Sequence, residues 1–296
     1  MLKKIKNNLY LVAQDQRAGF PYCHSLYVED EVRALVDCSM HAEDEAELLN
    51  KRPDIILNTH FHEDHILNNP KFKAECDSLV SAHILDAPAI ASKTQFLKDY
   101  GFAEMGMAEV GEAFINDLSL TFSSVDETFS DGMIWDFGKT QLTVVHLPGH
   151  SPGHCGFYYE PENLLWGADI ELSRFGPWYG HKVNDLDAFI ASIDRCITIN
   201  PQIFISSHQG VITENTIGRL TDFKTEIFRK EEAVYQSVTE RPGTLIELAD
   251  RALYYGANVK RDPFTVFQER YALYHLLTRL VKYHQLRFEQ GVYMID

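Results

Sequence analysis

Six residues constrain this chain more than anything else in it. They are His60-Phe61-His62-Glu63-Asp64-His65, and they follow the apolar run Ile55-Ile56-Leu57 across Asn58 and Thr59. A short apolar run bounded by polar residues reads as a buried strand. Imidazole and carboxylate are the standard ligands of a borderline divalent metal. On an extended segment His60 and His62 point to one face. A turn after them can bring Asp64 and His65 round to a second ion. With thirteen histidines in 296 residues, the pattern arises by chance in about two such chains per thousand.

Three later apolar runs end in residues of the same chemistry. Leu142-Thr143-Val144-Val145 leads into His146-Leu147-Pro148-Gly149-His150-Ser151-Pro152-Gly153-His154, where two Pro-Gly pairs make sharp turns. Leu164-Leu165-Trp166-Gly167-Ala168 ends in Asp169, and Ile203-Phe204-Ile205-Ser206-Ser207 ends in His208. One strand-end Asp or His alone is a turn former or a satisfied polar residue. Four strand ends in succession predict ligands converging at one edge of a sheet.

These motifs, with Asp37 in Leu35-Val36-Asp37, closely resemble the metallo-β-lactamase superfamily over residues 1 to about 215. The resemblance implies an α/β fold, a four-layered αββα sandwich with the site at the sheet edge. It implies two divalent ions. His60, His62 and His150 would hold the first; Asp64, His65 and His208 the second; Asp169 would bridge both. Asp37 would orient the His-rich loop. His at position 62, where redox di-iron relatives usually carry Glu, favours a hydrolase. Gln209 stands after His208 where the family often has Gly. His154 replaces a small polar residue and, like His146 and His181, matches no ligand position of the family. Zinc is the expected metal, with iron and manganese also accepted by such ligands.

Two ions a few ångströms apart lower the pKa of a shared water from about 15.7 towards about 7, giving a bridging hydroxide as nucleophile. Ser151 and Cys155 are then not needed as nucleophiles. Asp64 or Asp169 is the expected proton acceptor, so both are candidate catalytic residues.

Composition narrows the partner. The formal net charge is −16, and an acidic surface repels phosphate backbones, so nucleic acid is an unfavoured partner and a small-molecule substrate is expected. Five cysteines without a CxxC pair predict reduced thiols. With no signal-like segment and no membrane-length apolar run, the expected location is cytoplasmic, away from membranes. Charge also divides the chain: residues 1–215 carry a net −17 and residues 216–296 a net +1. Apolar spacing at Leu245, Leu248, Ala249, Ala252 and Leu253, and again at Leu273, Leu276, Leu277, Leu280 and Val281, predicts helices there. We therefore read a catalytic domain over 1–215 and a mainly helical C-terminal extension over 216–296, serving as a cleft cap or a homodimer face.

The substrate is less legible. The loop after Asp169 carries Arg174, Phe175, Trp178, Tyr179 and His181, and these are the expected cleft-lining residues. Residues 92–133, with Phe96, Phe102, Met105, Met107 and Phe114, read as a lid or insertion. An aromatic cleft in an acidic protein suggests a small ester, thioester or lactone. The helical tail resembles those of hydrolases of the quinolone-signal-response type, and the motif order that of glyoxalase II-like enzymes. The alternatives are a phosphodiesterase or ribonuclease of the same fold, a mononuclear iron oxidoreductase, and a non-catalytic signalling protein.

Overall fold

The computed structural model describes residues 2–14 and 19–295. Its first sheet runs in chain order: β1 (Leu2–Lys6), β2 (Leu9–Val12), β3 (Ser25–Val28), β4 (Ala34–Val36), β5 (Ile55–Asn58), β6 (Leu79–His83) and β7 (Glu127–Phe129). Strands β1 to β4 pair antiparallel, and β4 to β7 pair parallel. Parallel pairing needs crossovers. These are α1 (Ala42–Lys51), then α2 (Glu63–Ile66) with α3 (Asn69–Cys76), then α4 (Ala87–Ala91), α5 (Lys93–Tyr100) and α6 (Ala108–Asp117). Strands β4 and β5 are buried throughout, which is why their sequences are apolar without alternation.

The second sheet contains β8 (Ile134–Asp136), β9 (Gln141–His146), β10 (Cys155–Tyr159), β11 (Leu164–Ala168), β12 (Ile203–Ser206) and β13 (Gly210–Ile212). Only the β11–β12 pair is parallel, and α7 (Leu186–Ile199) is its crossover. The two sheets face each other. One apolar cluster joins Leu26, Val36 and Leu57 of the first to Val144, Phe157, Trp166 and Ile205 of the second. Leu48 of α1 and Phe72 of α3 pack on the outer face of the first sheet with Tyr27, Leu35 and Ile56. The result is the expected four-layered αββα sandwich.

The outer face of the second sheet is covered by α7 together with the C-terminal helices α8 (Thr216–Glu240), α9 (Leu245–Ala249) and α10 (Pro263–Lys282). Phe189 and Ile193 of α7, Phe223 and Ile227 of α8, and Leu273 and Leu276 of α10 belong to one cluster. The chain closes with the hairpin β14 (Arg287–Glu289) and β15 (Val292–Met294). Thr244 and Glu247 form a reciprocal capping box at the start of α9, satisfying two backbone donors. That helix stops at Ala249, short of the periodicity extending to Leu253, because Ala252 takes a left-handed conformation (φ +54°) and ends helical bonding. No helix among the described residues is long and apolar enough to cross a membrane.

Residues 92–133 are not a lid. They hold α5 and α6, whose Phe96, Phe102 and Phe114 are buried. Phe102 stacks on Phe267 of α10 at 4.1 Å between ring centres, and Met105 and Met107 lean on the same cluster. The break in helical spacing is Gly101 (φ +85°), where an added Cβ would collide with the Tyr271 hydroxyl.

Candidate metal centre

The candidate ligands sit at carboxyl ends of strands from both sheets. Asp37 follows β4. His60 and His62 follow β5, and the short helix α2 carries Asp64 and His65. His150 lies in the turn after β9, Asp169 directly after β11, and His208 shortly after β12. Gly149 makes the turn before His150 at φ +126°, where a Cβ would meet the backbone of Phe189.

His60, His62, His150 and Asp169 each offer one ligand atom within 4.8 Å of the others; Asp64, His65 and His208 form a second such group. Asp169 spans the two. One of its oxygens is 3.2 Å from His150 Nε2, and the other is 3.1 Å from His65 Nε2 and 3.6 Å from His208 Nε2. His208 Nε2 also lies 3.4 Å from Asp64. All seven side chains converge at this end of the sandwich.

The surrounding hydrogen bonds fix which ring nitrogens face inward. The Thr59 hydroxyl donates to Asp37 Oδ2 at 2.9 Å, so its oxygen accepts from His60 Nδ1 at 3.0 Å. His65 Nδ1 donates to Asp37 Oδ2 at 2.9 Å. His150 Nδ1 donates to the Trp178 carbonyl at 3.2 Å. Each ring thus turns a bare Nε2 to the centre. His60 Nε2, His65 Nε2 and Asp169 Oδ1 are buried with no hydrogen-bond partner among the described residues. Buried polar atoms are rarely left so; a cation bound between them satisfies all three, so the donor set fits divalent metal.

Charge follows the same geometry. Burial lowers the pKa of His60 and His62 well below the ordinary imidazole value, with neighbouring histidines adding to the effect. Burial also opposes charge on His65 and His208, but Asp169 overrides it and holds both well above that value. Asp169 is held well below the usual carboxylate range by His65 and His208, against the burial that opposes its charge. The surrounding carboxylates thus favour positive charge between these side chains, as a bound metal cation would supply.

A cavity of about 490 Å³ opens on this cluster, lined by Phe20, Tyr100, Trp178, Phe264, Gln268, Glu63 and Glu171 besides ligand candidates. Of the expected cleft residues only Trp178 lines it. Arg174 is exposed and borders a separate surface pocket beside Arg219 and Asp222. Phe175 packs outward on Tyr254 and Tyr255, and Tyr179 is fully buried in the helical core. The reason is local: the loop after Asp169 is drawn onto α8 and the α9–α10 connection, so alternate residues leave the cleft. His181 is buried behind His62, with Nε2 atoms 2.7 Å apart.

Other side chains hold the candidate ligands in place. His154 donates from Nδ1 to the Leu147 carbonyl at 2.9 Å and accepts the Asp169 amide at Nε2 at 3.2 Å, so it seats Asp169. Asp86 accepts from Ser151 Oγ, the Gly153 amide and the Phe61 amide, tying the two histidine loops together. No local signal marks it. Glu63, inside the motif, accepts from the Tyr100 hydroxyl at 2.5 Å, and burial with Asp64 nearby pushes its pKa up to about 8. His146 stacks on His83 at 4.2 Å and donates to the Pro152 carbonyl.

Comparison with known proteins agrees with this geometry. The family description "Metallo-beta-lactamase superfamily" matches residues 18–208. An atrochrysone carboxyl ACP thioesterase of Cryptosporiopsis sp. is 25% identical over 123 residues, 40% of this chain and 36% of that protein. A human acyl-coenzyme A thioesterase is 25% identical over 122 residues, 40% of this chain and 42% of that protein. The chain therefore matches well under half the length of these curated relatives. A solved metallo-beta-lactamase family protein of Thermus thermophilus superposes with a TM-score of 0.75 over 98% of this chain and 99% of that one, at 20% identity, a likeness of fold.

Proposed function

The chain belongs to the metallo-beta-lactamase superfamily, and from that premise we propose that it is a metal-dependent hydrolase of a small, uncharged ester, thioester or lactone. The observation that carries this reading is the inward-turned set of His60, His62, His65, His150, His208, Asp64 and Asp169, with three buried atoms left for a cation to satisfy. These residues would hold divalent ions, zinc being favoured by so many imidazoles, which would supply a Lewis acid and an acidified water.

The chain's own residues supply the rest. Asp37, Thr59, His154 and the Trp178 carbonyl hold the ring tautomers and the bridging carboxylate in place. Asp64 and Asp169 lie where they can take the proton of an attacking water. Phe20, Tyr100, Trp178 and Phe264 form apolar walls that orient the acyl group and limit water. Glu63 and Glu171 bring carboxyl groups into the cavity, and no lysine or arginine is among its described lining residues. That lining offers an anionic substrate no cationic side chain to meet it. It favours a neutral acyl substrate over a phosphodiester, as does the acidic surface.

The test is hydrolysis by the zinc-loaded protein of a neutral aryl ester, a short acyl thioester and a lactone, beside an aryl phosphodiester, with Asp169→Asn as control. Cleavage of carbonyl substrates, lost in the control, is expected. Cleavage of the phosphodiester alone would overturn the reading.

A further inference from the structure

We propose that His181 is a positioning residue that selects which nitrogen His62 offers to the metal, and that helix α10 holds it in place through His275. The inference rests on the metal-dependent reading above.

The argument is an account of hydrogens. His62 Nδ1 lies 3.0 Å from His150 Nε2, and His62 Nε2 lies 2.7 Å from His181 Nε2. The ring hydrogen of His150 is already committed, on Nδ1, to the Trp178 carbonyl. A neutral His62 carries one hydrogen, and it has two places to put it. On Nδ1 it would bridge to His150 Nε2 and close both rings to a cation. On Nε2 it is donated to His181, and two bare nitrogens then face the same point. An acceptor at His181 Nε2 favours the second arrangement.

That role has a cost visible in the structure. If His181 accepts at Nε2, its own hydrogen sits on Nδ1. His181 Nδ1 is buried and has no partner among the described residues. A buried N–H without a partner is unfavourable; a cation drawing on His62 Nδ1 would offset that cost by keeping the His62 hydrogen on Nε2. Rings of Phe61, Tyr100 and Trp178 wall His181 in at 5.2 to 5.6 Å between centres and leave it little freedom to turn.

The backbone at His181 is anchored on both sides. Its amide donates to Asn184 Oδ1 at 2.9 Å, and Asn184 Nδ2 donates to the His150 carbonyl at 2.6 Å. Its carbonyl accepts from His275 Nε2 at 2.7 Å. His275 is a buried residue of α10. The C-terminal helix thus reaches the candidate ligand His62 through a single residue. Ligand histidines usually donate to a carboxylate or a carbonyl; here the acceptor is a neutral imidazole.

The test compares the wild type with His181→Phe, His181→Gln and His275→Phe, using chelator-competition titrations with zinc and visible spectra with cobalt(II). Circular dichroism and melting of the ion-free proteins report folding. In His181→Phe one of two binding events should weaken about 10- to 100-fold with a changed cobalt band, the other event staying unchanged. His181→Gln, whose side-chain oxygen can accept at the position of Nε2, should recover most of the affinity. His275→Phe should weaken the same event by less, and it decides the matter if His181→Phe does not fold. Wild-type affinity and spectrum in folded His181→Phe, or in His275→Phe if only that variant folds, would overturn the proposal and leave the metal-dependent reading standing. A wild type that binds no divalent ion would overturn both.

Discussion

Asp37 and His65 share a hydrogen bond of 2.9 Å from imidazole Nδ1 to carboxylate Oδ2, and both side chains are fully buried. The same carboxylate accepts the amide and the hydroxyl of Thr59. One residue after β4 therefore sets the tautomer of His65 directly and that of His60 through Thr59. Asp37→Ala should weaken metal binding about 10- to 100-fold without removing a ligand. It also strands buried donors at Thr59 and His65, which costs about 1–3 kcal/mol for each unsatisfied group. Metal titration and chemical denaturation of the variant check the two effects separately.

Asp169 stands between the two ligand groups, within 3.2 Å of His150 and 3.1 Å of His65. Asp169→Asn should reduce bound metal from two ions to one or none and abolish hydrolysis. His208→Ala should remove only the ion on the Asp64 and His65 side, leaving the three-histidine group able to bind. Elemental analysis after dialysis distinguishes them. Two tightly held ions in either variant would show that the bridging arrangement is wrong.

The cluster of candidate ligands was legible because its signals are local. Each ligand sits within a few residues of an apolar run, and a buried strand fixes where its end points. The wall of the cleft was not legible for the opposite reason. Phe20, Tyr100, Trp178, Phe264 and Gln268 meet only after the C-terminal helices have docked. Phe175 reads as a cleft aromatic from its place near Asp169, yet Lys230 of α8 lies 3.4 Å from its ring centre and holds it on the outside. Phe96, Phe102 and Phe114 suggest a lid because the residues that bury them, Phe264 and Phe267, lie far along the chain. Nothing in the sequence around His275 points to residue 181, and its importance appears only with the His181 carbonyl beside it.

Glu171 gives a prediction about substrate charge. It lines the cavity and lies with Asp169 and His208 in one cluster of potential ligand atoms. At an effective dielectric near 20, a carboxylate several ångströms from a substrate anion costs that substrate about tenfold or more in binding. Burial raises the pKa of Glu171, against the pull of His208, so Glu171→Gln should raise kcat/KM for acyl substrates bearing a carboxylate, relative to neutral ones of the same size, by a factor that grows with pH towards about tenfold. Paired assays at low and high salt check it, with metal content measured alongside; an unchanged ratio would place the selectivity elsewhere.

Lys230 gives a prediction about pH. Its ammonium lies 3.4 Å from the Phe175 ring centre and 4.0 Å from that of Tyr254, and its Nζ has no hydrogen-bond partner among the described residues. Burial lowers its pKa to about 7 from the ordinary 10.5, against the pull of Glu226 and Glu269. Between those two values the unfolded chain binds the proton and the folded chain releases it. Stability contributed at this site must then rise with pH from about 7 towards 10 and level off beyond. Below pH 7 both states are charged and the burial cost is felt in full. Lys230→Met removes that cost but also forfeits the attraction between ammonium and rings, about 0.5–2 kcal/mol. The melting temperature of the variant relative to the wild type should therefore be highest near pH 6 and fall steadily towards pH 10, where an uncharged lysine no longer distinguishes them by charge. Calorimetry of both proteins across that range checks the slope, and a difference independent of pH would mean that Lys230 keeps an ordinary pKa in the fold.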